Sequence, residues 1–256
     1  MKVFPHCVAA AALLAAATGC TPVQPPLSGS HSSRPGSLPP YAVMAETVPV
    51  SAVPPAAITP DNLAGTMVAV KVISRQKVSA TFHICRYEAT QSLWEAVMGD
   101  NPSKIKGADL PVDQVSWNDV QDFLRRLNAH PAVKASGISY RLPTDVEWTH
   151  ACQAGADPTN DFGMAASGQP GTVGEMCWCK GSADGHSHGV GQKAPNALGL
   201  YDMHGNVREW TATTEGFFRV IRGGGWRDIP AWCTTSKRFR FIPEVRNDDL
   251  GFRLAY

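Results

Sequence analysis

Two carboxylates, Asp202 and Glu209, stand in the stretch PNALGLYDMHGNVREW, which runs from Pro195 to Trp210. Asn196, Gly199, Gly205 and Asn206 tolerate left-handed or tight-turn backbone angles, so the stretch reads as an ordered loop rather than a helix or strand. Asp202 and Glu209 supply hard oxygen, and Gly205 and Val207 carry main-chain carbonyls that such a loop turns toward the same point. Oxygen donors of mixed type on irregular backbone suit a structural calcium ion.

The cysteines are the second chemical resource. Cys85, Cys152, Cys177, Cys179 and Cys233 follow an amino-terminal leader that holds the other two. Cys177-Trp178-Cys179 with His186-Ser187-His188 suggests zinc by residue type, but tight C-x-C and H-x-H pairs are not the spacing of a structural zinc site. In an exported chain disulfide pairing is the stronger expectation. Five is odd, so at least one thiol is unpaired or pairs between chains, and spacing leaves the connectivity open.

Several elements must position these groups. MVAVKVIS (Met67–Ser74) and ATFHICRYEAT (Ala80–Thr90) read as strands from their β-branched and aromatic content. Thr90 is placed as the N-cap of a helix that Gly99 closes. Ser116 with Asp119, and Thr144 with Glu147, form capping-box patterns for two further helices, the last closed by Gly155. Val120, Phe123, Leu124 and Leu127 mark the buried face of the middle one. Trp94, Trp117 and Trp148 are expected to anchor the core, and His83, His130 and His150 to be structural. Between Gly155 and Gln192 a Gly-rich loop excursion is expected.

The chain has 256 residues, 43% hydrophobic content and a formal net charge of +1. That balance describes one globular domain with appendages and gives no reason to expect a nucleic-acid partner. Residues 1–20 read as an export signal: Lys2, an apolar run from Cys7 to Ala17 too short to span a bilayer, then small residues. Ala17-Thr18-Gly19-Cys20 is similar to a bacterial lipobox, which makes Cys20 the expected lipidation site. Residues 21–61, rich in Pro, Ser and Ala, are expected to be a tether, and residues 62–256 a globular head. The expected location is therefore outside the cytoplasm, lipid-anchored to a bacterial membrane at the cell surface.

Five blocks in order, LPVDQVSWNDV (Leu110–Val120), YRLPTDVEWTHA (Tyr140–Ala151), PNALGLYDMHGNVREW, RVIRGGGW (Arg219–Trp226) and LGFRLA (Leu250–Ala255), resemble the formylglycine-generating-enzyme, or sulfatase-modifying-factor, family. The resemblance runs from about Phe82 to Tyr256. It implies an α+β domain of the C-type lectin fold, with short antiparallel strands, two or three helices and much irregular loop. It also implies calcium at Asp202, Gly205, Val207 and Glu209. The family's catalysts hold copper(I) with two cysteines after the Gly-Gly block; the matching positions here are Asp228 and Cys233. One soft thiolate has become a hard carboxylate, so no copper and no oxidase activity are expected.

The interval between GGGW and GFR lines the ligand-binding surface in relatives of this fold. In some bacterial and phage relatives, a treponemal surface lipoprotein among them, a retroelement diversifies it. The resemblance thus implies a display protein that binds an extracellular protein or glycan. The expected ligand-binding residues are Arg227, Asp228, Ile229, Ala231, Trp232, Thr234, Lys237, Phe239, Arg240, Phe241, Glu244, Val245, Asn247 and Asp248. The alternatives are a metal-dependent oxidase acting on peptide cysteine, and an envelope structural lipoprotein without a ligand.

Overall fold

The computed structural model describes residues 41–45, 58–74, 77–157 and 160–256, the first of these as backbone alone. Cys20, the leader and most of the expected tether lie outside the described residues. Among the described residues no helix is long and apolar enough to cross a membrane.

The helix starts follow the capping chemistry. In α1 (Gln91–Met98) the Thr90 hydroxyl accepts the Leu93 N–H at 3.3 Å, and Gly99 ends the helix in the left-handed region. In α2 (Trp117–Ala129) Ser116 and Asp119 exchange side chain-to-backbone bonds of 3.1 and 2.8 Å. Thr144 and Glu147 do the same at the start of α4 (Asp145–Gln153). Each reciprocal pair satisfies two amide donors that a helix start leaves open. Two details differ from expectation. α4 ends on Ala154, itself left-handed at φ 50, one residue ahead of Gly155. A short α3 (Pro131–Ser136) follows α2 directly, with Pro131 in the first turn, where its missing N–H costs nothing. A single turn, α5 (Val173–Met176), interrupts the long loop.

Strands β1 (Tyr41–Ala45), β2 (Met67–Ser74) and β3 (Lys77–Cys85) form an antiparallel sheet in that order. β1 falls within the residues whose composition reads as tether, and Ile58 nearby is 2% exposed. Part of that segment therefore belongs to the head. β1 covers an edge of β2 that would otherwise present unpaired amides and carbonyls.

Strands β4 (Cys177–Trp178) and β5 (His204–Gly205) make a two-residue parallel pair. The third sheet has the order β8-β7-β6-β9, from β6 (Arg208–Glu215), β7 (Phe218–Arg222), β8 (Phe239–Phe241) and β9 (Leu250–Phe252). β9 runs parallel to β6, so the chain crosses back before it ends. The last residues then return to β3, where Cys85 N donates to Leu254 O at 2.8 Å and His83 N to Tyr256 O at 3.1 Å.

α1 and α2 pack on the β6–β9 side through Trp94, Phe123, Trp210 and Phe252, with Trp94 stacked on Phe123 at 5.2 Å. A second core joins β2, β3 and α4 to the central loop through Val70, Ile84, Trp148 and Leu200. Trp94 and Trp148 are core anchors as expected. Trp117 is half-buried, its indole donating to Thr211 O at 3.0 Å. These two cores hold the central loop from both sides.

Candidate functional site

The central loop is built by its own polar side chains. Asn196 Oδ1 accepts from Leu198 N and Leu200 N, while its amide donates to Ala151 O at 2.8 Å. Asn206, at φ 59, donates its backbone N–H to Trp178 O and accepts from Trp226 N, both at 2.8 Å. Its side chain accepts from His188 N and donates to Glu88 Oε2 at 2.7 Å. One residue thus ties β5, the 178–188 loop, β3's exit and the start of the carboxy-terminal face. Gly205 is required beside it: at φ 87, any Cβ would overlap the Trp178 carbonyl.

Beneath this loop lies a buried ionic core. Glu209 is fully buried, and Arg253 grips both its oxygens at 2.6 and 2.7 Å while the Trp148 indole donates to Oε2 at 2.7 Å. Glu88 and Asp202, 1% and 2% exposed, complete the set. Three carboxylates face one guanidinium. Burial, then the charges of Asp202 and Glu209, push Glu88 well above the usual carboxylate range. Burial also raises Asp202, to about 6, against the opposing pull of its bond from Gly191 N and of Arg253. Arg253 is raised because its carboxylate neighbours outweigh its burial. Sequence reading missed Glu88; its only signal is a carboxylate at the end of a strand-like run.

The calcium donors are tested by what already occupies them. Asp202 Oδ2 accepts from Gly191 N at 2.7 Å, but its Oδ1 is buried with no hydrogen-bond partner. A buried orphan carboxylate oxygen beside surplus negative charge suits a hard cation. Glu209 fits less well, because Arg253 and Trp148 engage both its oxygens. Among the described residues no group of three or more His, Cys, Asp or Glu is disposed to hold a metal by side chains alone. Of the expected side-chain donors, Asp202 Oδ1 is therefore the oxygen left free for an ion.

The carboxy-terminal interval is divided. Arg227, Ile229, Ala231, Trp232, Lys237, Arg240 and Glu244 are exposed, with Trp232 at 45%. Asn247 and Asp248 are half-buried. Asp228 and Thr234, expected on the binding surface, are buried instead. Phe239, Phe241 and Val245 pack against the main core, and the Arg208 guanidinium lies over both rings at 5.3 and 5.8 Å. Exposed and inward residues alternate from Phe239 to Arg246, across β8 and the residues after it, whereas Cys233, Thr234 and Thr235 are buried in a run. Beside Arg227 an open groove of about 320 Å³ is lined by Lys180, Gly181, Asp184, Gly185 and Trp226. Lys180 and Asp184 come from the long loop, so sequence spacing did not associate them with this face.

Asp228 is committed elsewhere. It accepts from Arg208 through Nε at 2.9 Å and Nη2 at 2.5 Å, and from Gly225 N at 2.9 Å. The carboxylate that replaces the family's first copper cysteine is thus a structural ion-pair partner, 3% exposed. The two-thiolate set does not fit here.

A family model described as the sulfatase-modifying factor enzyme 1-like domain matches residues 45–256. The chain is similar to the chaperone protein LppX of Paenibacillus barcinonensis, 31% identical over 223 residues that cover 68% of this chain and 79% of that protein. It is 29% identical to the inactive C-alpha-formylglycine-generating enzyme 2 of Bos taurus, over 64% of this chain and 56% of the other. Formylglycine-generating enzymes also match, and the chain spans about half the length of the mouse enzyme, 48%. Among solved structures, Treponema denticola variable protein 1 superposes with a TM-score of 0.60 at 26% identity, covering 74% of this chain and 88% of that one. With the mixed sheets and few helices described above, these matches show the C-type lectin fold of the formylglycine-generating type.

Proposed function

The chain belongs to the sulfatase-modifying factor enzyme 1-like family, and from that premise we propose that it is a non-catalytic, lipid-anchored display protein. It binds an extracellular protein or glycan through the exposed part of residues 227–248 and the groove beside Arg227. Cys20 is the proposed anchor, with the Pro-rich segment as spacer and the bacterial cell surface as location.

The observation that carries this reading is the Asp228–Arg208 pair. It converts the family's metal position into a brace for the surface that follows. Arg222 extends the brace by donating to Thr235 O and Lys237 O at 3.1 and 2.8 Å. Ile229, Ala231 and Trp232 lie exposed between these fixed points while Cys233 and Thr234 turn inward, so the exposed positions tolerate change without loss of the frame. A match to an inactive relative and to a variable protein supports the same direction. Retroelement diversification of this interval is part of the proposal; isolates that differ only between Trp226 and Gly251, beside a reverse-transcriptase gene, would support it.

Calcium, held by Asp202 and the Gly205 and Val207 carbonyls while Glu209 stays with Arg253 and Trp148, is proposed as the structural ion of the scaffold. It would offset the surplus charge of the buried carboxylates.

The test screens the full chain on a glycan array and a surface-protein library beside a Trp232→Ala/Arg240→Ala variant. Binding lost in the variant, with unchanged melting temperature, is the expected result. The same profile for both proteins, or no binding at all, removes the display reading. Formation of formylglycine from a cysteine peptide by the copper-supplied chain would restore the oxidase.

A further inference from the structure

Three of the five cysteines after the leader converge inside the head. Cys177, Cys179 and Cys233 are 0–1% exposed and form a separate buried cluster, with Phe162 and Val173 packed against it. His204 arranges the meeting. Its backbone is the strand partner of Cys177 across β4 and β5, and its Nδ1 lies 2.8 Å from the Cys233 carbonyl. Gly224 closes the other side, where a Cβ would press on the Cys233 sulfur at 2.7 Å. The Cys177 thiol thus shares one buried cluster with Cys233 and Cys179, all three of them free thiols in this structure.

The two neighbours of Cys177 are not equivalent. Cys179 lies two residues along the same segment, and a disulfide within C-x-C closes a small ring that strains the preferred torsion and Cα separation. Its sulfur is 3.7 Å from the Ser182 hydroxyl, which also accepts the Cys179 N–H at 3.0 Å. Cys233 comes from a distant part of the chain, just after the 3-10 turn Pro230–Trp232.

We propose that Cys177 and Cys233 are a disulfide-forming pair, with Cys179 retained as a buried thiol. The link would fasten the start of the carboxy-terminal face to the loop that precedes the central stretch. In forming it, the two thiols lose two protons and two electrons to a disulfide oxidant, either a small molecule or an exchange protein. The oxidant leaves as two thiols. The cluster is closed to solvent once folded, so the bond forms during folding. The protonated state that the neighbouring Cys233, then burial, imposes on a reduced Cys177 makes later reaction slow.

The decisive experiment refolds the reduced full chain in a mixture of reduced and oxidised glutathione. N-ethylmaleimide then blocks free thiols, and the chain is digested without reduction for mass spectrometry, with fragmentation that separates Cys177 from Cys179. A Cys177–Cys233 linked peptide, with Cys85, Cys152 and Cys179 alkylated, is the expected result. Alkylation of both Cys177 and Cys233, a link that uses Cys179, or protection of all three thiols by a bound metal each overturns the assignment. As a second readout, reductant is expected to lower the melting temperature of wild type and Cys179→Ser by roughly 5–10 °C. Cys233→Ser should not respond, and a response equal to wild type defeats the proposal.

Discussion

Arg253 and Glu209 meet through two bonds, Nη2 to Oε1 at 2.6 Å and Nε to Oε2 at 2.7 Å, with neither side chain exposed to solvent. The pair joins the residue after β9 to β6, so it closes the carboxy-terminal end of the fold onto the central loop. The same guanidinium donates to Tyr201 O at 3.0 Å and Cys85 O at 3.2 Å. Arg253→Met would leave Glu209 charged and unpaired beside Glu88 and Asp202. Its expected cost is about 3–5 kcal/mol by urea denaturation. Adding Glu209→Leu should recover part of that loss, giving a favourable coupling energy in the double-mutant cycle.

The orphan Oδ1 of Asp202 predicts how the head responds to calcium. Millimolar calcium is expected to raise the melting temperature of the chelator-treated chain by several degrees, since an ion that binds only the native state adds stability by mass action. Asp202→Ala should abolish the shift. Equal melting in calcium and chelator would remove the ion from the scaffold.

Asp113 sets a pH dependence that is separable from the central loop. It is 2% exposed, and burial raises it to about 6 despite the Lys104 N–H that its Oδ1 accepts at 3.0 Å. The native state therefore holds this proton where the unfolded chain has released it, between about pH 4 and pH 6. Its contribution to stability is present at the acid end of that window and is lost as pH rises through it. Asp113→Asn keeps the acceptor and removes the titration. The variant's stability relative to wild type should grow from about pH 4 to pH 6 and then level, by on the order of 1 kcal/mol with solvent screening. A difference that is flat with pH contradicts this account.

Trp232 and Phe239 touch edge to face at 5.9 Å, yet they belong to different surfaces. Trp232 is 45% exposed, whereas Phe239 packs on the core under Arg208. Trp232→Ala should cost at most about 1 kcal/mol of stability and Phe239→Ala about 2 kcal/mol or more, measured by the same denaturation. Equal costs would mean that the interval is packed as one unit, with no separate binding side.

Local pattern along the chain specified the helix starts, because a capping pair such as Ser116–Asp119 or Thr144–Glu147 is a contact between neighbours that any chain context preserves. It determined the family, since ordered blocks with Gly and Asn at turn positions reflect backbone demands that few other residues meet. It also marked Asp202 and Asn206 as loop residues, and both take positive φ. Tertiary structure alone decided what those side chains do. Glu209 is legible as an oxygen donor, but only the fold brings Arg253 to it from 44 positions away. Asp228 and Thr234 look like surface residues until Arg208 and the buried core claim their side of the interval. Glu88, β1 and the meeting of Cys177 with Cys233 were not legible, for one reason: each depends on partners distant in the chain, and local pattern carries no information about which distant segments will meet.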